Sequence, residues 1–103
     1  MKDFELTVLI REQEDVMKRV KDIEEIIKLF DGKVTKKQVD GLKTLAYEIN
    51  GEKRANYIYF ELTMPHNNAL ALSGRLNITH FVLRYLLIRS KDYEDERVNY
   101  QSY

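Results

Sequence analysis

Apolar residues recur at every second position in several stretches of the chain, which is the spacing of β-strands with one buried face. The first stretch lies near the amino terminus, and its apolar residues are Phe4, Leu6, Val8 and Ile10. A long extended segment is predicted from Val34 to Ile49, with a bulge near Asp40 and Gly41. Two further strands are predicted in YIYFELTM, which Pro65 ends, and in FVLRYLLIR.

Two other stretches follow the spacing of an α-helix. In the first, apolar residues recur at intervals of three and four, at Val16, Val20, Ile23, Ile27 and Phe30. Asp15 is the predicted N-cap of this helix and Gly32 its C-terminal stop. The second helix, in NNALALSGRL, is predicted to begin after Asn67 or Asn68 and is weakened by Gly74. The residues from 52 to 56, EKRAN, are predicted to complete a loop after the Asn50-Gly51 turn.

The resulting order of elements is strand, helix, strand, strand, helix, strand. Right-handed crossovers then place both helices on one face of a four-stranded antiparallel sheet, which is the α+β, ferredoxin-like βαββαβ sandwich. We expect this domain to cover residues 1–91, and residues 92–103 to form a charged, flexible tail. The sheet face without helices carries four apolar or aromatic residues by parity: Tyr57, Tyr59, Leu86 and Ile88. Such a face is typical of a binding surface.

Charge and composition exclude several classes of function. Lys and Arg number 17 and Asp and Glu number 17, so no global field attracts nucleic acid or an anionic membrane. The chain has no cysteine, which excludes disulfides, thiolate metal sites and a cysteine nucleophile. No stretch approaches the roughly 20 apolar residues of a membrane span, so we expect a soluble protein without a targeting segment or a membrane partner.

Catalytic and metal-binding patterns are weak. His66 and His80 do not have the spacing of a metal-ligand pair, and Ser73 lacks a nucleophile-elbow sequence. We therefore expect no enzyme, no metal, no cofactor and no small-molecule substrate.

Three motifs resemble those of one family when taken in order. MKDFE at the amino terminus, LAYEI in the middle and TMP after the third strand are similar to the corresponding motifs of bacterial small-subunit ribosomal protein six. The resemblance covers about residues 1–91. It implies a cytoplasmic, structural component of the small ribosomal subunit. This component would bind the central domain of small-subunit ribosomal RNA together with small-subunit ribosomal protein eighteen.

The resemblance also implies site residues. Lys2 and Phe4 match basic and aromatic positions near the family's amino terminus, and Arg84 and Arg89 match basic positions on its last strand. The candidates for RNA contact are these four and a further basic residue: Lys2, Phe4, Arg84, Arg89 and Lys91. Tyr47 and Tyr59 match aromatic positions on the middle strands. The candidates for the protein-partner face are Tyr47, Tyr57, Tyr59, Leu86 and Ile88.

Each of these assignments has an alternative. The basic residues are otherwise ordinary solvated charges, and Arg84 is placed where it could pair with Glu5 across the sheet. Tyr57 and Tyr59 are also spaced like the base-stacking aromatics of an RNA-recognition motif, although KRANYIYF lacks the basic-glycine-aromatic opening of that motif. The alternative function is a ferredoxin-like interaction or regulatory module that dimerises through its open sheet face.

Overall fold

In the computed structural model of this chain, the described residues are 1–89 and 99–101. The elements in chain order are β1 (Lys2–Arg11), α1 (Val16–Leu29), β2 (Lys33–Ile49), β3 (Glu52–Met64), a 3₁₀ turn (His66–Asn68), α2 (Ala69–Asn77), β4 (Val82–Arg89) and β5 (Asn99–Gln101). The strands form one antiparallel sheet in the order β2-β3-β1-β4-β5. The predicted ferredoxin-like arrangement of four strands and two helices is confirmed.

A fifth strand, β5, extends the predicted sheet. Its three residues pair antiparallel with β4, so that Leu86 to Ile88 lie opposite Gln101 to Asn99. The other residues of the predicted tail, 92–98 and 102–103, lie outside the described residues, as does the RNA-contact candidate Lys91.

The core lies between the sheet and the two helices. Alternate residues of the central strand β1 are buried to 1% exposure or less, and they are Phe4, Leu6, Val8 and Ile10. Leu72 and Leu76 of α2 and Ile23 and Ile27 of α1 cover them from the helix side. Because every second position points to this layer, the intervening residues of the same strands form the opposite face of the sheet.

Hydrogen bonds to the backbone define both ends of α1. Asp15 caps its amino end as predicted, since its carboxylate accepts a hydrogen bond from the Lys18 amide at 3.4 Å. At the carboxyl end the amides of Asp31 and Gly32 bond back to the carbonyls of Lys28 and Ile27, at 3.0 and 2.9 Å. The left-handed residue of this motif is Asp31, with φ 62°, and not the glycine. Gly32 is required for space, because a Cβ there would lie 2.5 Å from the Ile27 side chain.

The amino-terminal end of the second helix, α2, differs from the prediction. Asn68 precedes α2, but its side chain makes no capping bond. Its amide nitrogen Nδ2 instead donates to the carbonyl of Phe30 at 2.7 Å, which ties the start of α2 to the end of α1.

A long hairpin joins β2 and β3. Asn50 and Gly51 both have positive φ, 49° and 83°, which is the geometry of a two-residue hairpin turn that matches the strand twist. Strand β3 therefore begins at Glu52, and the predicted loop over residues 52–56 was wrong. The predicted bulge is confirmed, because the β2–β3 register shifts between Val39 and Gly41.

Candidate interaction surfaces

The sheet face opposite the helices is organised in rows across the strands. Residues directly opposite each other in antiparallel strands point to the same side, so the register defines this surface. We call it the open face, and its three rows are the Arg84 row (Gly41, Tyr57, Leu9, Arg84), the Leu86 row (Gln38, Tyr59, Thr7, Leu86) and the Ile88 row (Lys36, Glu61, Glu5, Ile88). The rows combine apolar, aromatic and charged side chains over the four strands β2, β3, β1 and β4.

Four of the five predicted partner-face residues lie together on the open face. Tyr57, Tyr59, Leu86 and Ile88 occupy the three rows and are all partly exposed. Tyr47 is separate from them. It lies between Thr44 and Ile49, where β2 loses its register with β3, and its side chain is 84% exposed.

Tyr59 is held by a carboxylate on the same strand. Its hydroxyl donates to Oε2 of Glu61 at 3.0 Å, two positions along β3. Loss of solvent around the ring, the bond to Glu61 and the charges of Glu5 and Glu61 together raise the pKa of Tyr59 to about 12, with loss of solvent the largest cause. Tyr59 is therefore a neutral donor whose orientation depends on an acidic neighbour.

The end of the open face at the Arg84 row is cationic. Arg84 is exposed, and the Nζ of Lys43 lies 5.3 Å from the centre of the Tyr57 ring. That distance permits a cation–π contact. Arg84 makes no ion pair with Glu5 among the described residues. The two lie opposite Leu9 and Ile88, so they are separated by four positions, or about 13 Å along the strands.

A second cationic site lies at the opposite end of β4 and on the other side of the sheet. Arg89 is directly opposite Phe4, and Lys2 is two positions from Phe4 on the same side of β1. Lys2 is exposed, whereas Arg89 is partly buried and its Nε has no hydrogen-bond partner among the described residues. We call Lys2 and Arg89 the cationic corner.

Phe4 does not belong to this corner. Its side chain is 1% exposed and packs in the core, so it is unavailable to a ligand. The physical reason is the alternation of β1, which points Phe4 to the same side as Leu6 and Val8. Phe4 is therefore corrected from a candidate RNA contact to a core residue.

The acidic component of the open face was not predicted from the sequence. Glu5 and Glu61 are directly opposite each other on β1 and β3. Their parity with Tyr59 was visible in the sequence, but the strand register that makes them neighbours was not. Lys43 was missed for a similar reason, since bulges interrupt the alternation of β2 before it.

The described part of the chain has neither a metal-binding cluster nor a membrane-spanning helix. Among residues 1–89 and 99–101, no three His, Cys, Asp or Glu side chains are grouped to hold a metal ion. No helix within these residues is both long enough and apolar enough to cross a membrane.

Comparisons with known proteins agree on one family. The family model described as Ribosomal protein S6 matches residues 3–89. Small ribosomal subunit protein bS6 of Rickettsia felis is 30% identical over 99 residues, which cover 93% of this chain and 82% of the relative. The protein of the same name from Orientia tsutsugamushi is 26% identical over 95 residues, covering 89% and 80%. The crystal structure of 30S ribosomal protein S6 from Thermotoga maritima has the same fold, with a TM-score of 0.80, 22% identity and 92% coverage of both chains.

Proposed function

Because the chain belongs to the ribosomal protein S6 family, a family of small-subunit proteins, we propose that it binds the central domain of small-subunit ribosomal RNA jointly with small-subunit ribosomal protein eighteen. Its role in translation is structural and not enzymatic. Its proposed location is the small subunit of the cytoplasmic ribosome, and the names of its relatives support the small ribosomal subunit.

The observation that supports RNA contact is the state of Arg89. A buried N–H group without an acceptor is costly to leave unpaired. The Nε of Arg89 is such a group, and Lys2 adds an exposed positive charge on the same side of the sheet. Phosphate oxygens are the acceptors that guanidinium groups bind most strongly, often through two bonds. The cationic corner is therefore the proposed phosphate contact.

The open face supports a protein partner more than it supports RNA. Leu86 and Ile88 lie beside Tyr57 and Tyr59, which gives a mixed apolar and aromatic surface like the centre of a protein interface. Glu5 and Glu61 add negative charge at its Ile88 row, next to Tyr59, and this charge repels a phosphate backbone. Base stacking on the tyrosines is disfavoured for this reason.

The test is a titration of a central-domain RNA fragment with the protein, in the presence and absence of ribosomal protein eighteen, at several salt concentrations. We expect weak binding alone and tight binding with the partner, because the balance of 17 basic and 17 acidic residues provides no general attraction. Each lost phosphate contact reduces the slope of log affinity against log salt by roughly 0.7–0.9. Arg89→Ala should show this reduction in the complex.

Arg75→Ala is the matched control, since Arg75 is an exposed arginine on α2 and its loss removes the same charge. Its salt slope should equal that of the wild type. Tight binding of RNA without the partner would contradict the proposal. A self-associated protein that ignores RNA would favour the alternative function as a dimerising module.

A further inference from the structure

We infer that Asn50 is a site of spontaneous deamidation, in which the backbone amide of Gly51 converts the asparagine side chain to aspartate or isoaspartate. The turn between β2 and β3 supplies both reacting groups, and solvent supplies the water. The two products differ in their effect on the hairpin, because aspartate keeps the backbone of the turn and isoaspartate lengthens it. This modification is independent of the function proposed above.

The reaction needs a backbone nitrogen that can approach the side-chain carbonyl of the preceding asparagine. Gly51 provides it, since glycine has no Cβ beside its nitrogen and adopts conformations closed to other residues. Asn50 and Gly51 are both exposed. Among the described residues, neither the Asn50 side chain nor the Gly51 amide takes part in a hydrogen bond outside the strands. Both groups are therefore free to turn toward each other.

Other asparagines of the chain lack this combination. Asn77 is also exposed, but it is followed by Ile78, which is β-branched and stiff. The amide of Ile78 donates to the carbonyl of Arg75 at 3.3 Å, so it is already occupied. The side chain of Asn68 is fixed by its own bond to a carbonyl. Deamidation should therefore be selective for Asn50.

The turn lies where the pairing of β2 and β3 is least regular. Thr44 is paired with Arg54 and Ile49 with Glu52, so residues 45–48 of β2 bulge out where β3 has a single residue. Local opening of such a segment requires little free energy. An open turn lets Asn50 leave its positive φ of 49° and bring its Cγ in line with the Gly51 nitrogen.

The reaction conserves atoms and electrons. A hydroxide ion removes the Gly51 amide proton, and the nitrogen lone pair forms a bond to Cγ of Asn50, which closes a cyclic imide. The bond from Cγ to Nδ2 breaks, and Nδ2 leaves as ammonia with a proton from water, which regenerates hydroxide. Water then cleaves one imide bond, giving its hydroxyl to carbon and its other hydrogen to nitrogen. Cleavage at Cγ yields aspartate, and cleavage at the backbone carbonyl carbon yields isoaspartate.

The surroundings accommodate aspartate better than isoaspartate. Asn50 lines a polar cleft together with Arg11 and His80. Arg11 is held there by a bond from its Nε to the His80 carbonyl at 2.9 Å, so a carboxylate at position 50 has this cation as a neighbour. Isoaspartate instead adds a carbon to the backbone of a two-residue turn, whose length sets the pairing of Ile49 with Glu52. We expect this product to lose that pair.

The experiment incubates the full protein in mildly alkaline buffer and follows each asparagine by peptide mass spectrometry over time. Asn77 is the internal control. We expect Asn50 to convert severalfold faster than Asn77, and chromatography should separate an aspartyl from an isoaspartyl peptide. An Asn50 that keeps its amide, or that converts no faster than Asn77, would overturn the inference.

A pair of glycine variants tests the attacking group. Gly51→Ala places a Cβ beside the reacting nitrogen and should slow conversion of Asn50 severalfold without affecting Asn77. Gly74→Ala makes the same change at another exposed glycine and should leave the rate at Asn50 as in the wild type. A rate in Gly51→Ala equal to or above that of the wild type would exclude the Gly51 amide as the attacking group.

Thermal unfolding of the products tests the structural consequence. Asn50→Asp represents the aspartate product and should unfold at the temperature of the wild type or above it. The purified isoaspartyl protein should unfold at a lower temperature. Equal unfolding temperatures for these two proteins would show that the turn absorbs the added carbon, which would refute the predicted loss of pairing.

Discussion

Leu70 and Leu72 are two positions apart on α2 and differ in the surface that each one faces. Leu72 is fully buried, whereas Leu70 is 69% exposed. We predict that Leu72→Ala lowers the free energy of unfolding by about 2–5 kcal/mol, through lost burial and the cavity left behind. Leu70→Ala is the control, because it makes the same chemical change in the same helix. It should change the free energy of unfolding by less than about 0.5 kcal/mol. Denaturant titration measures both, and equal losses would contradict the assigned core.

Tyr59 provides a prediction about pH. Its pKa is raised to about 12, first by loss of solvent and then by Glu61 and Glu5, against about 10 for an unperturbed tyrosine. The difference between the absorbance titrations of wild type and Tyr59→Phe should therefore have its midpoint near pH 12. In a Glu61→Gln background the midpoint should move toward the ordinary value. A wild-type midpoint near 10 would show that the Tyr59 ring is neither shielded from solvent nor bonded to Glu61 in solution.

The same shift has a consequence for stability. A group whose pKa is higher in the folded than in the unfolded state stabilises the fold fully below its unfolded value. For Tyr59 this contribution is present below about pH 10 and is lost as the pH rises through about 12. The Tyr59→Phe variant should therefore lose less stability than the wild type as the pH rises over this alkaline range. Thermal unfolding of both proteins at several pH values measures the difference.

Residue placement was predictable where alternation was regular. The alternation along β4 placed Arg84, Leu86 and Ile88 on one face of that strand, and the structure confirms this placement. For Phe4, the alternation of β1 already indicated burial, and it was a better guide than the matching aromatic position of the family. The burial of the Arg89 Nε was not predictable, since Arg89 lies at the end of its strand, where neighbouring elements decide burial.

Among the elements, the turn between β2 and β3 depends most directly on one residue. Gly51 has φ 83°, and a Cβ at this position would meet no atom within 4 Å. Gly51→Ala therefore introduces backbone strain alone, and we predict a loss of about 1 kcal/mol in the free energy of unfolding.

Gly74→Ala is the matched control on α2. Its added Cβ also meets nothing within 4 Å, and the glycine has no positive φ. The same substitution should stabilise the protein by about 0.4–1 kcal/mol, because alanine has the higher helix propensity. Changes of the same sign at both positions, in denaturant or thermal unfolding, would be inconsistent with the turn geometry.

Element boundaries were less predictable than element types. Residues 52–56 have no alternating apolar face, and the sequence therefore predicted a loop. The structure shows that backbone pairing with β2 continues to Glu52, while Arg54 forms an ion pair with Glu12 at 2.7 Å. Likewise, Asn68 bonds across to Phe30 and does not cap its own helix, a tertiary contact that no local pattern predicts.

At the scale of the whole molecule, β5 covers one edge of the sheet. Deletion of residues 90–103 would leave the backbone groups on that side of β4 unpaired. We predict that the shortened chain still folds, because the core cluster draws its residues from β1 to β4 and the two helices. The shortened chain should self-associate more strongly than the full chain at the same concentration, since exposed edge strands pair with other chains.

Sedimentation velocity of the full and shortened chains measures this effect. A shortened chain that carries Leu86→Lys is the control, because a lysine on an edge strand opposes pairing and should reduce the association. A shortened chain that remains monomeric over the same concentrations would contradict a protective role for β5.

The overall architecture was predictable because four strands and two helices each bury a regular apolar face. β5 was not, since NYQ has too few residues to show a period and is placed by backbone pairing with β4. The same limit applies to the open face. The alternation of residues along β3 predicted that its tyrosines lie on this face. The pairing of Glu5 with Glu61 could be predicted only from the register between β1 and β3.

The position of β1 constrains how the protein emerges during synthesis. β1 precedes the other strands of this sheet in the chain, yet it lies between β3 and β4 at the centre of the sheet. The strands that pair with it, β3 and β4, are completed only at Met64 and Arg89, so both backbone edges of β1 lack their strand partners while most of the chain is being translated. The β2–β3 hairpin closes over a two-residue turn and is the first part of the sheet able to form. From this topology we expect the β2–β3 hairpin to form before β1 pairs with both of its neighbouring strands, although β1 precedes the hairpin in the chain.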